Sequence, residues 1–100
     1  MSLPHLPFDP SCCLIGGQWR HPTDLEKLEL KNPSDGSTLT EIASGNENDI
    51  GEAIENAKNA FDQCWNTTPA AERGRILSNL GRIVLKNIDL LSTLEALDVG

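Results

Sequence analysis

Residues 46–100 carry three successive apolar stripes at helical spacing, and no other feature of the chain constrains its fold as strongly. Ile50, Ala53, Ile54, Ala57, Phe61 and Cys64 recur at the period of one helix face. Glu52, Glu55, Lys58 and Asp62 take the opposite face. Asn46 is the expected N-cap, with Glu47 and Asp49 placing negative charge in the first turn. Trp65 and Asn66 close this helix. The pair Thr68-Pro69 predicts a second start, Thr as N-cap and Pro at the first helical position. Its stripe is Ile76, Leu77, Leu80, Ile83 and Val84. Asn87 is expected to end it in a left-handed conformation, and Asp89 to cap a third helix striped by Leu90, Leu91, Leu94 and Leu97.

Upstream, residues 12–45 read as a β-hairpin. Cys12 to Ile15 is a short apolar run stopped by Gly16-Gly17. Lys27-Leu28-Glu29-Leu30-Lys31 alternates with period two, the mark of a half-buried strand. Asn32-Pro33-Ser34-Asp35-Gly36 is a turn: Pro33 presets φ and Gly36 supplies a positive φ. Thr38 to Ala43 is the returning strand. Residues 1–11 hold Pro4, Pro7 and Pro10 and read as an extended tail. A two-stranded hairpin is marginal by itself and covers little of three amphipathic helices. Either the helices bundle together or this unit packs on something larger.

The charge balance excludes whole classes of partner. A net charge of −7 argues against nucleic acid and anionic membranes, which need clustered Lys and Arg. No apolar run approaches a membrane span, and the N-terminus lacks the basic region of a signal peptide, so a cytoplasmic chain is expected. Arg73, Arg75, Arg82 and Lys86 concentrate positive charge on the second helix, where they read as a solvated face. Three cysteines, two of them adjacent (Cys12, Cys13) and one alone (Cys64), do not make a disulfide framework, nor does their spacing suggest metal. His5 and His21 are expected to be solvent-exposed, without ligand spacing. Gly16-Gly17 fits a tight turn and lacks the pattern of a phosphate loop. No Ser or Cys has a neighbouring His to activate it, so the residues by themselves present no catalytic constellation.

Five strings in register change the picture. Leu14-Ile15-Gly16-Gly17-Gln18-Trp19 resembles the opening strand motif of aldehyde dehydrogenases, and Asn32-Pro33-Ser34-Asp35-Gly36 resembles their NP-x-x-G turn. The segment from Asn48 to Phe61, followed by Trp65, is similar to their first helix. Thr68-Pro69-Ala70-Ala71-Glu72-Arg73 is similar to the start of their second. Leu94-Glu95-Ala96-Leu97-Asp98-Val99-Gly100 resembles their LE-x-LD-x-G. The resemblance runs from about residue 14 to residue 100 and covers only the N-terminal part of that much longer family chain.

It implies an α/β parent enzyme in which residues 12–100 begin a doubly wound NAD(P)-binding domain, as a hairpin (12–45) and helices (46–100). It implies oxidation of an aldehyde to a carboxylic acid with NAD or NADP. A cysteine thiolate would form a thioester, and a glutamate-activated water would release it. The nucleophile, the base and the cofactor contacts would all lie downstream of residue 100, so no catalytic or cofactor-binding residue is expected here, and residues 1–100 alone are expected to be inactive. The family resemblance also implies a structural Na+ or K+ site, whose ligands would be the backbone carbonyls of Leu30 and Lys31 and the carboxylate of Asp98. Oxygen donors suit such a hard cation. Lys31 departs from the apolar residue frequent at that position, and its ammonium would compete with the ion. A homodimer or homotetramer is implied for the parent. The competing expectation is a stand-alone small interaction domain without catalysis.

Overall fold

The computed structural model describes residues 2–100. Four strands precede three helices: β1 (Cys13–Ile15), β2 (Gln18–Arg20), β3 (Lys27–Lys31), β4 (Thr38–Ala43), α1 (Glu47–Gln63), α2 (Ala70–Lys86) and α3 (Ile88–Val99), with a 3-10 turn at Trp65–Thr67 between α1 and α2.

The β region is two separate antiparallel pairs, β1–β2 and β3–β4, where the sequence suggested one hairpin. The reason lies in Gly16 and Gly17. Both have positive φ (61° and 75°), as a two-residue primed turn requires, and the ladder closes on Ile15 opposite Gln18. In the second pair the Asn32–Gly36 turn forms as its residues dictate. Gly36 has φ 75°, its N–H donates to the Asn32 carbonyl at 2.8 Å, and the Asn32 side chain accepts from the Ser34 N–H at 2.9 Å. The β3–β4 register shifts between Leu30 and Lys31, which pair with Thr40 and Thr38.

Helix α1 begins at a capping box. Asn46 Oδ1 accepts from the Asp49 N–H at 3.1 Å, and Asp49 Oδ2 accepts from the Asn46 N–H at 2.8 Å. The α2 start differs from expectation. Pro69, in extended backbone, holds the N-cap position, and Thr68 points its hydroxyl backward to the Cys64 carbonyl at 2.8 Å. Thr68 thus joins Thr67 in donating to the Cys64 carbonyl at the end of α1 instead of capping α2. Asn87 also differs. Its φ of −109° and ψ of 19° lie in the bridge region, and its side-chain amide bonds back to the Ile83 carbonyl at 2.9 Å. It serves as both the C-cap of α2 and the N-cap of α3, so Asp89 lies inside the first turn of α3.

Three contacts assemble these pieces. Gly16 sits so close to α1 that a Cβ there would lie 2.7 Å from Asn56 Oδ1. The β1–β2 turn therefore lies along the small residues Ala53, Ala57 and Ala60. The loop after β2 docks on the α1 N-terminus, where Thr23 donates to Asp49 from its N–H (3.1 Å) and its hydroxyl (2.7 Å), and Arg20 pairs with Glu52. At the far end, Ser34 Oγ donates to the Gly100 carbonyl at 3.2 Å.

Of the tail, Met1 lies outside the described residues; the rest runs along the body. Pro10 accepts a backbone bond from Ala43 at 2.9 Å, and Phe8 stacks on Trp19 with centroids 5.1 Å apart. Ile15 and Leu97 are the buried large apolar side chains among the described residues. Ile54, Phe61, Leu77, Leu80 and Ile83 are all half-exposed or more.

Candidate functional site

The tail, the β3–β4 hairpin and α3 meet at an open groove of about 470 Å³, lined by Leu3, Leu6, Phe8, Leu30, Ile42, Leu94 and Asp98. The groove exists because Ser34 and Pro33 hold the end of α3, while Pro10 holds the tail against β4. Leu30 and Asp98, two of the three residues drawn from the family resemblance as cation ligands, line this one cavity. Lys31 is the next residue on β3, and its Nζ lies 3.8 Å from Glu29 Oε2. That pairing draws the ammonium toward its own strand neighbour. The register shift falls between Leu30 and Lys31, with Leu39 of β4 as the extra residue opposite them.

A second constellation escaped the sequence reading. Asp9, Cys12 and His21 come together with one ligand atom from each inside a 4.8 Å span. Cys12 Sγ lies 3.7 Å from His21 Nδ1 and 3.9 Å from Nε2. Two turns produce this. The Cys12 N–H closes a turn onto the Asp9 carbonyl at 3.1 Å, with Pro10 and Ser11 between them. The β1–β2 ladder pairs Cys13 with Arg20, which leaves Cys12 and His21 facing each other at its open end. The signals were present: Asp-Pro-Ser favours a turn, and a primed turn at Gly16-Gly17 reflects residue 12 onto residue 21. Ser11 fixes the Asp9 carboxylate through its hydroxyl (2.6 Å) and N–H (2.9 Å), and these bonds lower the Asp9 pKa. Partial burial, and then the Asp9 charge, push the Cys12 thiol up.

The arginines of α2 turn to local partners. Arg73 donates to the Thr68 carbonyl, Arg75 pairs with Glu72, and Arg82 donates to Asn79 at 2.9 Å. Cys64 is exposed, at the end of α1. No helix among the described residues is long and apolar enough to cross a membrane.

Comparison with known proteins gives this architecture its class. The aldehyde dehydrogenase family profile matches residues 19–100. The chain belongs to the aldehyde dehydrogenase family. It is 34% identical over 91 residues to the NAD(P)+ aldehyde dehydrogenase 1 of Saccharomyces cerevisiae, covering 91% of this chain and 18% of that protein. It is 36% identical over 92 residues to the human mitochondrial 10-formyltetrahydrofolate dehydrogenase, of which it covers 10%. A crystal structure of a putative aldehyde dehydrogenase from Burkholderia cenocepacia superposes with a TM-score of 0.80 at 39% identity, over 84% of this chain and 18% of that one. A NAD-dependent benzaldehyde dehydrogenase from Corynebacterium glutamicum superposes at 0.73, with 32% identity, over 81% of this chain and 18% of its own. The chain thus spans less than a fifth of these relatives' length.

Proposed function

We propose that this chain is the N-terminal segment of an NAD(P)-dependent aldehyde dehydrogenase that oxidises an aldehyde to a carboxylic acid. The observation that carries this reading is the joint match of sequence and fold, 39% identity with a TM-score of 0.80 to a solved relative. NAD(P), when bound, supplies the hydride acceptor. The thiolate nucleophile and the water-activating glutamate belong to residues beyond 100. Among the described residues the Gly16–Gly17 pair is a hairpin turn with no helix following it, and it does not fit a dinucleotide phosphate. In the same reading, residues 12–100 open a doubly wound NAD(P)-binding domain of a cytoplasmic homodimer or homotetramer.

The role of these residues is to build a scaffold edge. The β3–β4 hairpin, the tail and α3 meet at one groove, β1–β2 docks on α1, and α1 and α2 present apolar faces for the rest of the enzyme to cover. The monovalent cation is part of the proposal. Leu30 and Lys31 would offer carbonyls where the β3–β4 register shifts, and Asp98 a carboxylate at the shared groove. These oxygen donors fit Na+ or K+, and the ion would tie α3 to β3.

The test is a pair of assays. The longer protein should form NADH or NADPH when given an aldehyde, and residues 1–100 alone should form none above a buffer control. Turnover by residues 1–100 alone would overturn the reading.

A further inference from the structure

We infer that Asp9, Cys12 and His21 bind a single Zn2+ ion at the junction of the tail and the first hairpin. The donor set is a thiol, an imidazole and a carboxylate, the side chains zinc takes. The spacing suits one ion, and a turn of the His21 ring aims a nitrogen at it, because Nδ1 and Nε2 lie almost equally far from Cys12 Sγ, at 3.7 and 3.9 Å. Zn–S and Zn–N bonds of about 2.3 and 2.05 Å at a tetrahedral angle put the two donor atoms about 3.6 Å apart. Cys12 Sγ and His21 Nδ1 are 3.7 Å apart, and the Asp9 oxygen completes a triangle within 4.8 Å.

The ligands stand on backbone that is already fixed. The Asp9–Cys12 turn and the β1–β2 ladder each close through their own hydrogen bonds, so ordering costs little on binding. Ser11 orients the Asp9 carboxylate through Oδ1, the service an outer partner gives a metal ligand. Asp9 and His21 are exposed while Cys12 is half-buried. The ion therefore enters from solvent, and its fourth position is left to water. On binding, the Cys12 S–H bond breaks, the proton passes to solvent and an S–Zn bond forms. Asp9 and His21 contribute lone pairs, and nothing is oxidised. A thiolate and a carboxylate together neutralise the 2+ charge. The ion clips the tail to the hairpin beside the place where Phe8 stacks on Trp19.

The experiment uses the full, untagged chain, with Co2+ as the spectroscopic probe and Zn2+ as competitor. One equivalent of Co2+ should give a thiolate-to-cobalt charge-transfer band that Zn2+ abolishes. Cys12→Ser and His21→Gln should each weaken Zn2+ at least tenfold, as should Asp9→Asn, with far-ultraviolet dichroism unchanged. Cys13→Ser and His5→Gln should leave affinity as it is, since strand neighbours of Cys12 point away and His5 lies outside the cluster. A measurement without any variant guards against misfolding: Zn2+ should slow alkylation of Cys12, read by peptide mass mapping, at least tenfold. A Cys12→Ser protein that keeps the parent's Zn2+ affinity would overturn the inference, as would Cys12 alkylation indifferent to Zn2+.

Discussion

Gly16 and Asp49 show how a single position can carry a joint of this fold. Gly16 faces two constraints, a φ of 61° and a neighbour, Asn56 Oδ1, that a Cβ would meet at 2.7 Å; Gly17 has only the positive φ, with open space around it. Gly17→Ala should therefore cost about 1 kcal/mol and Gly16→Ala about 2 kcal/mol or more. Adding Asn56→Ala to Gly16→Ala should return the difference, and urea denaturation of the three variants measures it. Asp49 binds the Asn46 N–H and the Thr23 hydroxyl, and these bonds, in that order, lower its pKa below the usual carboxylate value. A lowered pKa in the folded state means that the unfolded chain takes up the proton first. The stabilisation is present in full above the ordinary carboxylate pKa and fades as pH falls through the lower folded value. Denaturation midpoints should fall on acidification below about pH 4, and Asp49→Asn should shrink that fall. The capping box was readable from Asn46 and Asp49, which are close in sequence. The Thr23 bond was not, because a partner 26 positions away leaves no local pattern.

Helix stripes set α1 and α2 in the sequence, because a period survives whatever the helix packs on. Helix ends were harder to read. Thr68 and Asn87 have cap chemistry, yet both spend their side chains on carbonyls behind them. The third helix differs from the simple amphipathic expectation. Leu90, Leu94 and Leu97 face inward to varying degrees, Leu91 is more exposed but shares a groove with Leu90, Leu94, Phe8 and Ile83, and Ile88 and Val99 stand exposed on the other side. Such a helix has two apolar faces and fits between two surfaces. Leu97 is 3% exposed and Leu91 43%. In this chain Leu97→Ala should cost about 2–4 kcal/mol and Leu91→Ala less than about 1 kcal/mol, by thermal or urea denaturation. Asn46→Ala, which removes the α1 cap, should cost about 1 kcal/mol. The candidate site was legible only in part. Leu30 and Asp98 came from matched motifs and share a groove, while the Asp9–Cys12–His21 cluster depended on a turn geometry that spacing in the linear chain conceals.

The whole molecule is too open for its size. Its radius of gyration is 16.6 Å, against about 13 Å for a compact chain of this length. Its accessible surface is 7472 Å², against roughly 5,600 Å² for a folded monomer of this mass. Large apolar side chains stand exposed in every part of the chain, among them Ile50, Ile54 and Phe61 on α1 and Ile76, Leu77, Leu80 and Ile83 on α2. Phe61, 53% exposed, gives the sharpest contrast. Phe61→Ala should cost about 3–5 kcal/mol in the longer protein proposed above, which would cover this face, and less than about 1 kcal/mol in residues 1–100 alone. Glu55→Ala, on the opposite face, should stay within about 0.5 kcal/mol in both. Equal and small effects at both positions in the longer protein would place the buried face of α1 elsewhere. Residues 1–100 alone should also bind an apolar dye and sediment as concentration-dependent oligomers; a sharp monomeric melt above about 60 °C would contradict this. The uncovered faces also matter during synthesis. In relatives of which this chain spans 18%, the matching segment leaves the ribosome first, and at roughly 5–20 residues per second the remainder follows over tens of seconds. In the longer protein proposed above, Ile54, Phe61, Leu80 and Ile83 would wait through that interval without a surface to dock against, and a chaperone that holds nascent chains would be their cover.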